Sequence, residues 1–430
     1  MKLSHYVKSY PYDEKPGYRL VYSTKKCSRL LVPEEVLEAI AEDDLTEDEE
    51  QLLLTHGVIT GDIEAEKREV ACMLDAENKE NTELQITIIL NLDCNFNCVY
   101  CYEGDMKGKH YLSDETADQL IAFIKDNFTP GKKSLHINFH GGEPLLSWKM
   151  IVSICTKLKP FAKLRGATYT FTIITNGSLF TRKIAETLSP LGLVKTQITL
   201  DGPAASHDRT RPFKNGKGSF KTILQNIKEI CDLTKITLVG NFDQNSWQSF
   251  PELLDHLIAE GLTPNQIASI RFSPILKAAR GVELSSGYTA GCDSQSAPWI
   301  QEAFTFLREE ILRRGFATQK PGRLRCLVET ADAYVVNYEG TIYKCPAFIG
   351  NADLAIGHIT GNVDETCAAY TFGLYKNPKC LECEYLPMCF GGCRHMTYLR
   401  ENHMNKEDCL RESLEATLQT LVQQDTRYGQ

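Results

Sequence analysis

From residue 84 the chain repeats one pattern: a short apolar run, then a longer stretch with apolar residues every three or four positions. The apolar runs lie at 84–91, 134–140, 168–175, 195–200, 235–242 and 269–275, and helical periodicity covers 114–127, 148–163, 180–190, 218–232 and 250–260. This alternation predicts parallel strands flanked by helices, an α/β architecture. Six units fall short of the eight of a full barrel. In such folds the chemistry sits where loops leave the C-terminal ends of the strands.

Ahead of this repeat, 18–22 and 27–32 read as two short strands joined by Ser23-Thr24-Lys25-Lys26. Pro33 suits the first position of a helix running to about Ile40. Thr46, with Glu49 three residues on, is a capping box opening a second helix that stops at Gly57, and a third is expected over 63–78. Behind the repeat, 334–345 reads as a hairpin turning at Glu339-Gly340.

A chain of 430 residues allows about two to three domains and a large core. It has no apolar run long enough to span a bilayer and no charged-then-apolar N-terminal segment, so a cytoplasmic protein without a membrane span is expected. A net charge of −9 argues against nucleic-acid binding, which needs clustered Lys and Arg. The acidity is local: between Pro33 and Thr55 there are ten Asp or Glu and no Lys or Arg. Sixteen cysteines without an export signal point to metal or redox chemistry rather than disulfides. Cys27, Cys72, Cys155 and Cys231 lie in apolar or helical contexts and are expected to be small buried hydrophobes.

Cys94, Cys98 and Cys101 sit in the run Asn91-Leu92-Asp93-Cys94-Asn95-Phe96-Asn97-Cys98-Val99-Tyr100-Cys101, directly after the first strand. Three thiolates with no fourth cysteine nearby suit a metal site that keeps one position open; a closed structural site wants four ligands. A partial zinc site or three buried thiols are the plain alternatives. Gly141-Gly142-Glu143-Pro144 follows the second strand, Thr175-Asn176-Gly177 ends the third, and Leu200-Asp201-Gly202 ends the fourth, with His207-Asp208-Arg209-Thr210-Arg211 behind it. Asn241 and Asp243 close the fifth. A second cysteine group comprises Cys326, Cys345, Cys380, Cys383, Cys389, Cys393 and Cys409. Its two CxxC-like pairs would by themselves read as zinc ribbons.

Ordered after successive strands, these motifs resemble the radical S-adenosylmethionine (SAM) superfamily, and the second cysteine group is similar throughout to its SPASM extension. The resemblance covers 84–430. It implies a partial (β/α)6 barrel in which Cys94, Cys98 and Cys101 hold a 4Fe–4S cluster whose fourth iron is chelated by SAM. The Gly141-Gly142-Glu143-Pro144 turn would hold the SAM amino group, with Glu143 as its acceptor. Thr175 and Asn176 would lie near the ribose and carboxylate, and Tyr100 against adenine. Asp201, Arg211 and Asn241 are further pocket candidates, and Asp243 is a candidate proton acceptor. Cys380, Cys383, Cys389 and Cys409 would hold an outer auxiliary cluster and Cys326, Cys345 and Cys393 an inner one, making three 4Fe–4S clusters. Either Cys292, in the 287–296 stretch, completes the inner set, or that cluster keeps an open iron for a substrate thiolate. Cys367 is expected to be an ordinary cysteine.

The N-terminal hairpin and helices are similar to the winged-helix module that binds the leader of ribosomally made peptides. Winged helices also bind DNA, but the acidic 34–50 stretch would repel a phosphate backbone. The expected organisation is a recognition module over 1–81, a barrel over 82–285, a linker over 286–325 and a SPASM domain over 326–430. The resemblance implies an enzyme that cleaves SAM reductively, abstracts hydrogen from a precursor peptide and installs a crosslink, with a cysteine thioether as the leading form. A low-potential donor such as flavodoxin or ferredoxin would supply electrons. Carbon–carbon or carbon–oxygen crosslinking, formylglycine formation in sulfatases, and a non-enzymatic iron–sulfur redox role are the alternatives.

Overall fold

The computed structural model describes residues 1–277, 291–292, 294, 296–364 and 370–429; Cys367 lies outside them. The N-terminal part runs β1 (Lys2–Leu3), β2 (Val7–Pro11), β3 (Tyr18–Ser23), β4 (Ser28–Pro33), α1 (Glu34–Glu42), α2 (Glu47–Thr55), β5 (Ile59–Thr60) and α3 (Ile63–Lys79). Strands β2, β3 and β4 form an antiparallel sheet, and β1 pairs with β5. The expected hairpin therefore gains a third strand, because β2 is ordered by its pairing with β3. Pro33 keeps an extended ψ of 143° as the last residue of β4 and stands one position before α1, not inside it. The capping box forms in both directions: Glu49 N donates to Thr46 Oγ1 at 3.3 Å, and Thr46 N donates to the Glu49 carboxylate at 2.9 Å. Such a cap stabilises a helix by about 1 kcal/mol.

The central repeat folds as β6 (Glu83–Ile89), α4 (Asp114–Asn127), β7 (Ser134–His140), α5 (Trp148–Leu164), β8 (Thr168–Thr175), α6 (Arg182–Leu188), β9 (Leu193–Thr199), α7 (Ala204–Thr210), α8 (Phe220–Ile230), β10 (Lys235–Phe242), α9 (Phe250–Ala259) and β11 (Ile267–Pro274). Strands β6–β11 are parallel neighbours in chain order. Period-two patterning sets their faces. On β7, Leu135, Ile137 and Phe139 are fully buried, and the Phe139 ring meets Phe171 of β8 at 5.5 Å. Each such side chain contributes about 1.5–3 kcal/mol on burial. The opposite face is polar: His136 bonds Thr170 at 2.8 Å, Thr172 at 3.0 Å and Asn138 at 3.2 Å. That face lines the lumen.

The chain continues as α10 (Pro298–Arg313), β12 (Ala333–Val336), β13 (Thr341–Tyr343), β14 (Gly357–His358), α11 (Pro378–Leu381), α12 (Leu386–Cys389), α13 (Arg394–Glu401) and α14 (Arg411–Arg427). β12 pairs in parallel with β6, so the hairpin extends the same sheet to nine strands, ordered β11-β10-β9-β8-β7-β6-β12-β13-β14. The N-terminal part packs on this C-terminal segment. Tyr6, Val70 and Leu74 bury against Tyr375, Cys380, Leu386 and Phe390, and Leu20 and Tyr22 against Tyr385, Met388, Leu418 and Val422. Lys8 pairs with Glu384 at 2.7 Å, and Thr24 Oγ1 donates to the Glu384 carbonyl at 2.6 Å. Among the described residues no helix is long and apolar enough to cross a membrane.

Candidate active site

The three-cysteine loop leaves the C-terminal end of β6 and lies directly against the turn that follows β7. Gly142 N donates to the Asn91 carbonyl at 2.9 Å and Glu143 N to the Asp93 carbonyl at 2.7 Å. A Cβ on Gly142 would stand 2.3 Å from the Asp93 oxygen, and one on Gly141, at φ +153°, would stand 2.7 Å from the Asn91 oxygen. The paired glycines thus let two loops touch backbone to backbone. The cysteine thiols gather here: burial pushes Cys94 up to about 12 and raises Cys98, and each of these thiols feels a neighbour in the set. Cys94 Sγ also accepts from the Asn176 amide at 3.9 Å.

Glu143 is fully buried. Its carboxylate accepts from Thr175 Oγ1 at 2.7 Å, Asn176 N at 2.8 Å and Leu145 N at 2.9 Å, the last capping the 144–147 turn that Pro144 opens. Burial raises its pKa, and these hydrogen bonds act against that. Among the described residues no cation stands within ion-pair distance of it. A buried carboxylate so placed suits an ammonium group.

A second network gathers the remaining pocket candidates around the Tyr100 hydroxyl. It donates to Asp201 and accepts from Arg211 at 2.6 Å and from the Asn241 amide at 3.0 Å. Asp201 also accepts from Asn241 N at 2.7 Å. Arg211 is positioned by residues whose part the sequence did not reveal. Asp201 N donates to His207 Nδ1 at 3.0 Å, His207 Nε2 meets Ser219 Oγ at 3.0 Å, and Ser219 Oγ donates to the Arg211 carbonyl at 2.7 Å. Since Nδ1 accepts, the neutral ring carries its proton on Nε2; burial holds the ring neutral. Arg211 Nε is buried without a hydrogen-bond partner.

The C-terminal cysteines form two sets. Cys380, Cys383, Cys389 and Cys409 line one small cavity together with Arg411. Cys326, Cys345 and Cys393 lie close together: burial pushes Cys345 up to about 12, helped by the Cys393 and Cys326 thiolates, and burial raises Cys393, helped by that of Cys326. Cys292 is buried, with its backbone bonded to Ile275 and Lys277 at 2.8 and 2.9 Å. Contrary to expectation, Cys72 is exposed, because Val70 and Leu74 are the residues of α3 that face the packed side. Cys27 and Cys231 are half-buried, and Cys155 is buried under the Tyr169 hydroxyl at 3.2 Å.

A cavity of about 720 Å³ joins these regions. Tyr100, His140 and Asn241 line one end, and Phe348, His395 and Tyr398, from the segments after Cys345 and Cys393, line the other. His140 was missed in the sequence, although it stands immediately before Gly141 at the end of β7. Its Nδ1 accepts from Gly141 N at 2.8 Å, so its remaining proton sits on Nε2. Asp243 caps a turn, accepting from Asn245 N at 3.0 Å, and does not line the cavity.

These residues fit the groups that the motifs imply. An amino-acid end needs an anion for its ammonium and a cation for its carboxylate; Glu143 and the orphaned Arg211 Nε supply one of each beside the three thiols. Thiols raised by burial give up their protons on binding iron.

Residues 88–257 match the family described as the radical SAM superfamily. The serine-type anaerobic sulfatase-maturating enzyme of Bacteroides thetaiotaomicron is 25% identical over 341 residues, spanning 70% of this chain and 80% of that enzyme. Among solved structures, native anSMEcpe with bound AdoMet and Kp18Cys peptide superposes with a TM-score of 0.62 at 15% identity, covering 80% of this chain and 99% of that one. Streptococcus suis SuiB bound to precursor peptide SuiA gives a TM-score of 0.54 at 14% identity, covering 95% and 98%. The structural likeness establishes the shared fold, a mixed α/β architecture dominated by a parallel sheet, with a C-terminal extension. The family match spans the cysteine loop, the Glu143 cradle and the Tyr100 network, and its chemistry uses a 4Fe–4S cluster and SAM; the chain carries a radical SAM domain and is a radical SAM enzyme.

Proposed function

We propose that this enzyme matures a ribosomally made precursor peptide, forming a thioether between a cysteine sulfur and a carbon. The observation that carries this reading is the cavity running from Tyr100 and Asn241 to the segments that follow Cys345 and Cys393. A peptide residue lying there has the SAM cradle on one side and the inner cysteines on the other. Bound together, the cluster and SAM supply one-electron reductive cleavage and hydrogen-atom abstraction.

In this reading Cys94, Cys98 and Cys101 hold the catalytic cluster. Glu143 takes the SAM ammonium, Arg211 its carboxylate, and Tyr100 fixes the wall by its bonds to Asp201, Arg211 and Asn241. Cys380, Cys383, Cys389 and Cys409 hold an outer cluster, and Cys326, Cys345 and Cys393 an inner one. The acidic face of α1 and α2 suits a leader carrying Lys or Arg. The test is anaerobic turnover, with SAM and a reductant, of any short cysteine-bearing peptide whose reading frame neighbours the gene. A thioether removes two hydrogens and one alkylatable thiol. A product that loses two hydrogens but keeps every thiol would instead indicate a carbon–carbon or carbon–oxygen crosslink, or, if it carries a hydrazine-reactive aldehyde, formylglycine made from serine. Cys292 bears on the same choice: if Cys292→Ser changes the inner cluster's paramagnetic resonance spectrum, the thiol is a ligand, and a fully ligated cluster favours that alternative.

A further inference from the structure

The lumen wall carries a cation that nothing in the described chain balances. On β11, the Phe272 ring meets Phe250 of α9 at 4.7 Å, so Phe272 turns toward the helices and, like Ile270, is buried. Arg271, between them, faces the lumen. Its register partner is Val239, two residues before Asn241, and Ser273 pairs with Asn241 itself. Asn241 bonds the Tyr100 hydroxyl and lines the large cavity, as do Pro274 and Ile275. One step of the strand, roughly 7 Å, therefore separates Arg271 from the cavity floor.

Among the described residues its neighbours on the strands are uncharged: Thr237 bonds Ser269 at 2.9 Å on one side, and Val239 lies opposite. Among the described residues Arg271 makes no hydrogen bond or ion pair. Its side chain is exposed, the flanking strands draw its pKa down, and no carboxylate counters that. Exposed and without an anion among the described residues, the guanidinium is free to meet a carboxylate that enters from the cavity. The cavity beyond is largely apolar, with Ile275, Phe348, Ile349, Leu354 and Leu399 in its walls.

We propose that Arg271 anchors a carboxylate of the peptide substrate, an Asp or Glu side chain or the C-terminus, while adjoining apolar residues fill the cavity. A guanidinium fork suits this task because it can bind a carboxylate through two parallel hydrogen bonds. This inference rests on the peptide reading above. It adds a charge pattern: a basic leader on the α1–α2 face and an acid near the modified residue.

The test is selection on cluster-loaded, full-length enzyme from two pools of randomised heptapeptides, one acetylated and amidated, the other with a free C-terminus. Wild type should enrich Asp and Glu over Asn and Gln by roughly tenfold at one position, or the free-carboxylate pool over the amidated pool by as much. The first result assigns a side chain and the second the terminus. The preference should vanish in Arg271→Gln and survive in weakened form in Arg271→Lys, which keeps the charge but not the fork, with iron content and thermal midpoint checked for both. Enrichment without a carboxylate preference, or a preference that survives Arg271→Gln, overturns this proposal and leaves the peptide reading standing. No enrichment of any peptide overturns both. A tenfold loss of SAM affinity in Arg271→Gln with the preference intact would give Arg271 to the cofactor and also overturn it.

Discussion

The cysteine loop at 94–101 and the cysteine segment at 380–409 both gather thiols, but they are built differently. The first is a loop held by backbone contacts to its neighbours: Val99 N donates to the Thr210 carbonyl at 3.0 Å and Asn97 N to the Pro212 carbonyl at 2.9 Å. Its three thiols sit beside a buried carboxylate and a buried, partly orphaned arginine. The second is made of one-turn helices and left-handed residues, Phe390 at φ +41° and Gly392 at φ +73°, with four thiols lining one small cavity. A Cβ on Gly392 would stand 2.0 Å from the Asp408 oxygen, so that turn also depends on its glycine. The difference lies in what adjoins the thiols. Three donors beside a buried carboxylate leave a position open, whereas four donors suffice to close a site.

The largest expected effect tests that contrast. Replacing Cys94, Cys98 and Cys101 with Ala should abolish 5′-deoxyadenosine formation and remove about a third of the iron, by the proposed three-cluster stoichiometry. Replacing Cys380, Cys383, Cys389 and Cys409 with Ser should remove a similar share while SAM cleavage without peptide continues. Iron analysis and product chromatography on anaerobically reconstituted protein read both. If the second variant loses SAM cleavage as fully as the first, the two sites are not distinct in the way drawn here.

Next in size is the cradle. Glu143→Gln keeps the side chain's shape but removes its charge, and a charge-assisted hydrogen bond is worth roughly 1.5–3 kcal/mol. SAM should therefore bind about ten- to a hundredfold more weakly by equilibrium dialysis. Equal affinity would show that the ammonium lies elsewhere. Glu143→Ala is a poorer choice, because it also strips acceptors from Thr175, Asn176 and Leu145.

Much of this architecture was legible because its signals are local. The bounds expected for the strands over 134–140, 168–175 and 235–242 coincide with β7, β8 and β10. Apolar periodicity with sharp polar loops specifies such elements. The parallel pairing of β12 with β6 was not legible, since it joins segments far apart in the chain. The same holds for β2, which is ordered by its partner strand, and for the His207–Ser219 link that positions Arg211. Motif order located Glu143, Asn176 and Cys94 at one site. It could not show that Tyr100, Asp201, Arg211 and Asn241 share one hydroxyl, nor that the paired glycines face a backbone.

The N-terminal contrast calls for point substitutions. Deleting residues 1–81 would expose Tyr375, Leu386, Phe390, Met388 and Leu418, which now bury against them, so loss of turnover would not isolate leader recognition. Glu35, Glu38 and Glu42 are exposed on α1. Replacing all three with Lys should leave the fold intact and slow precursor association several-fold at low salt, with the difference shrinking as salt rises. An association rate identical to wild type at low salt would leave the acidic face without a role in recognition.

The smallest expected effect concerns His140, the cavity residue beside the paired glycines. Burial pulls its pKa from 6.5 to about 4. In the unfolded chain a histidine takes up its proton near pH 6.5. Between these values the unfolded state binds a proton that the folded state refuses, so stability falls as pH drops through that window. Above it the contribution is fully present, and below about pH 4 it changes no further. Urea midpoints of wild type and His140→Gln, measured at several pH values, should therefore differ most in wild type's favour near pH 7, and the gap should narrow toward pH 4. A gap independent of pH would mean that His140 titrates alike in the folded and unfolded chain, so that burial does not keep its Nδ1 free to accept from Gly141 N below pH 6.5.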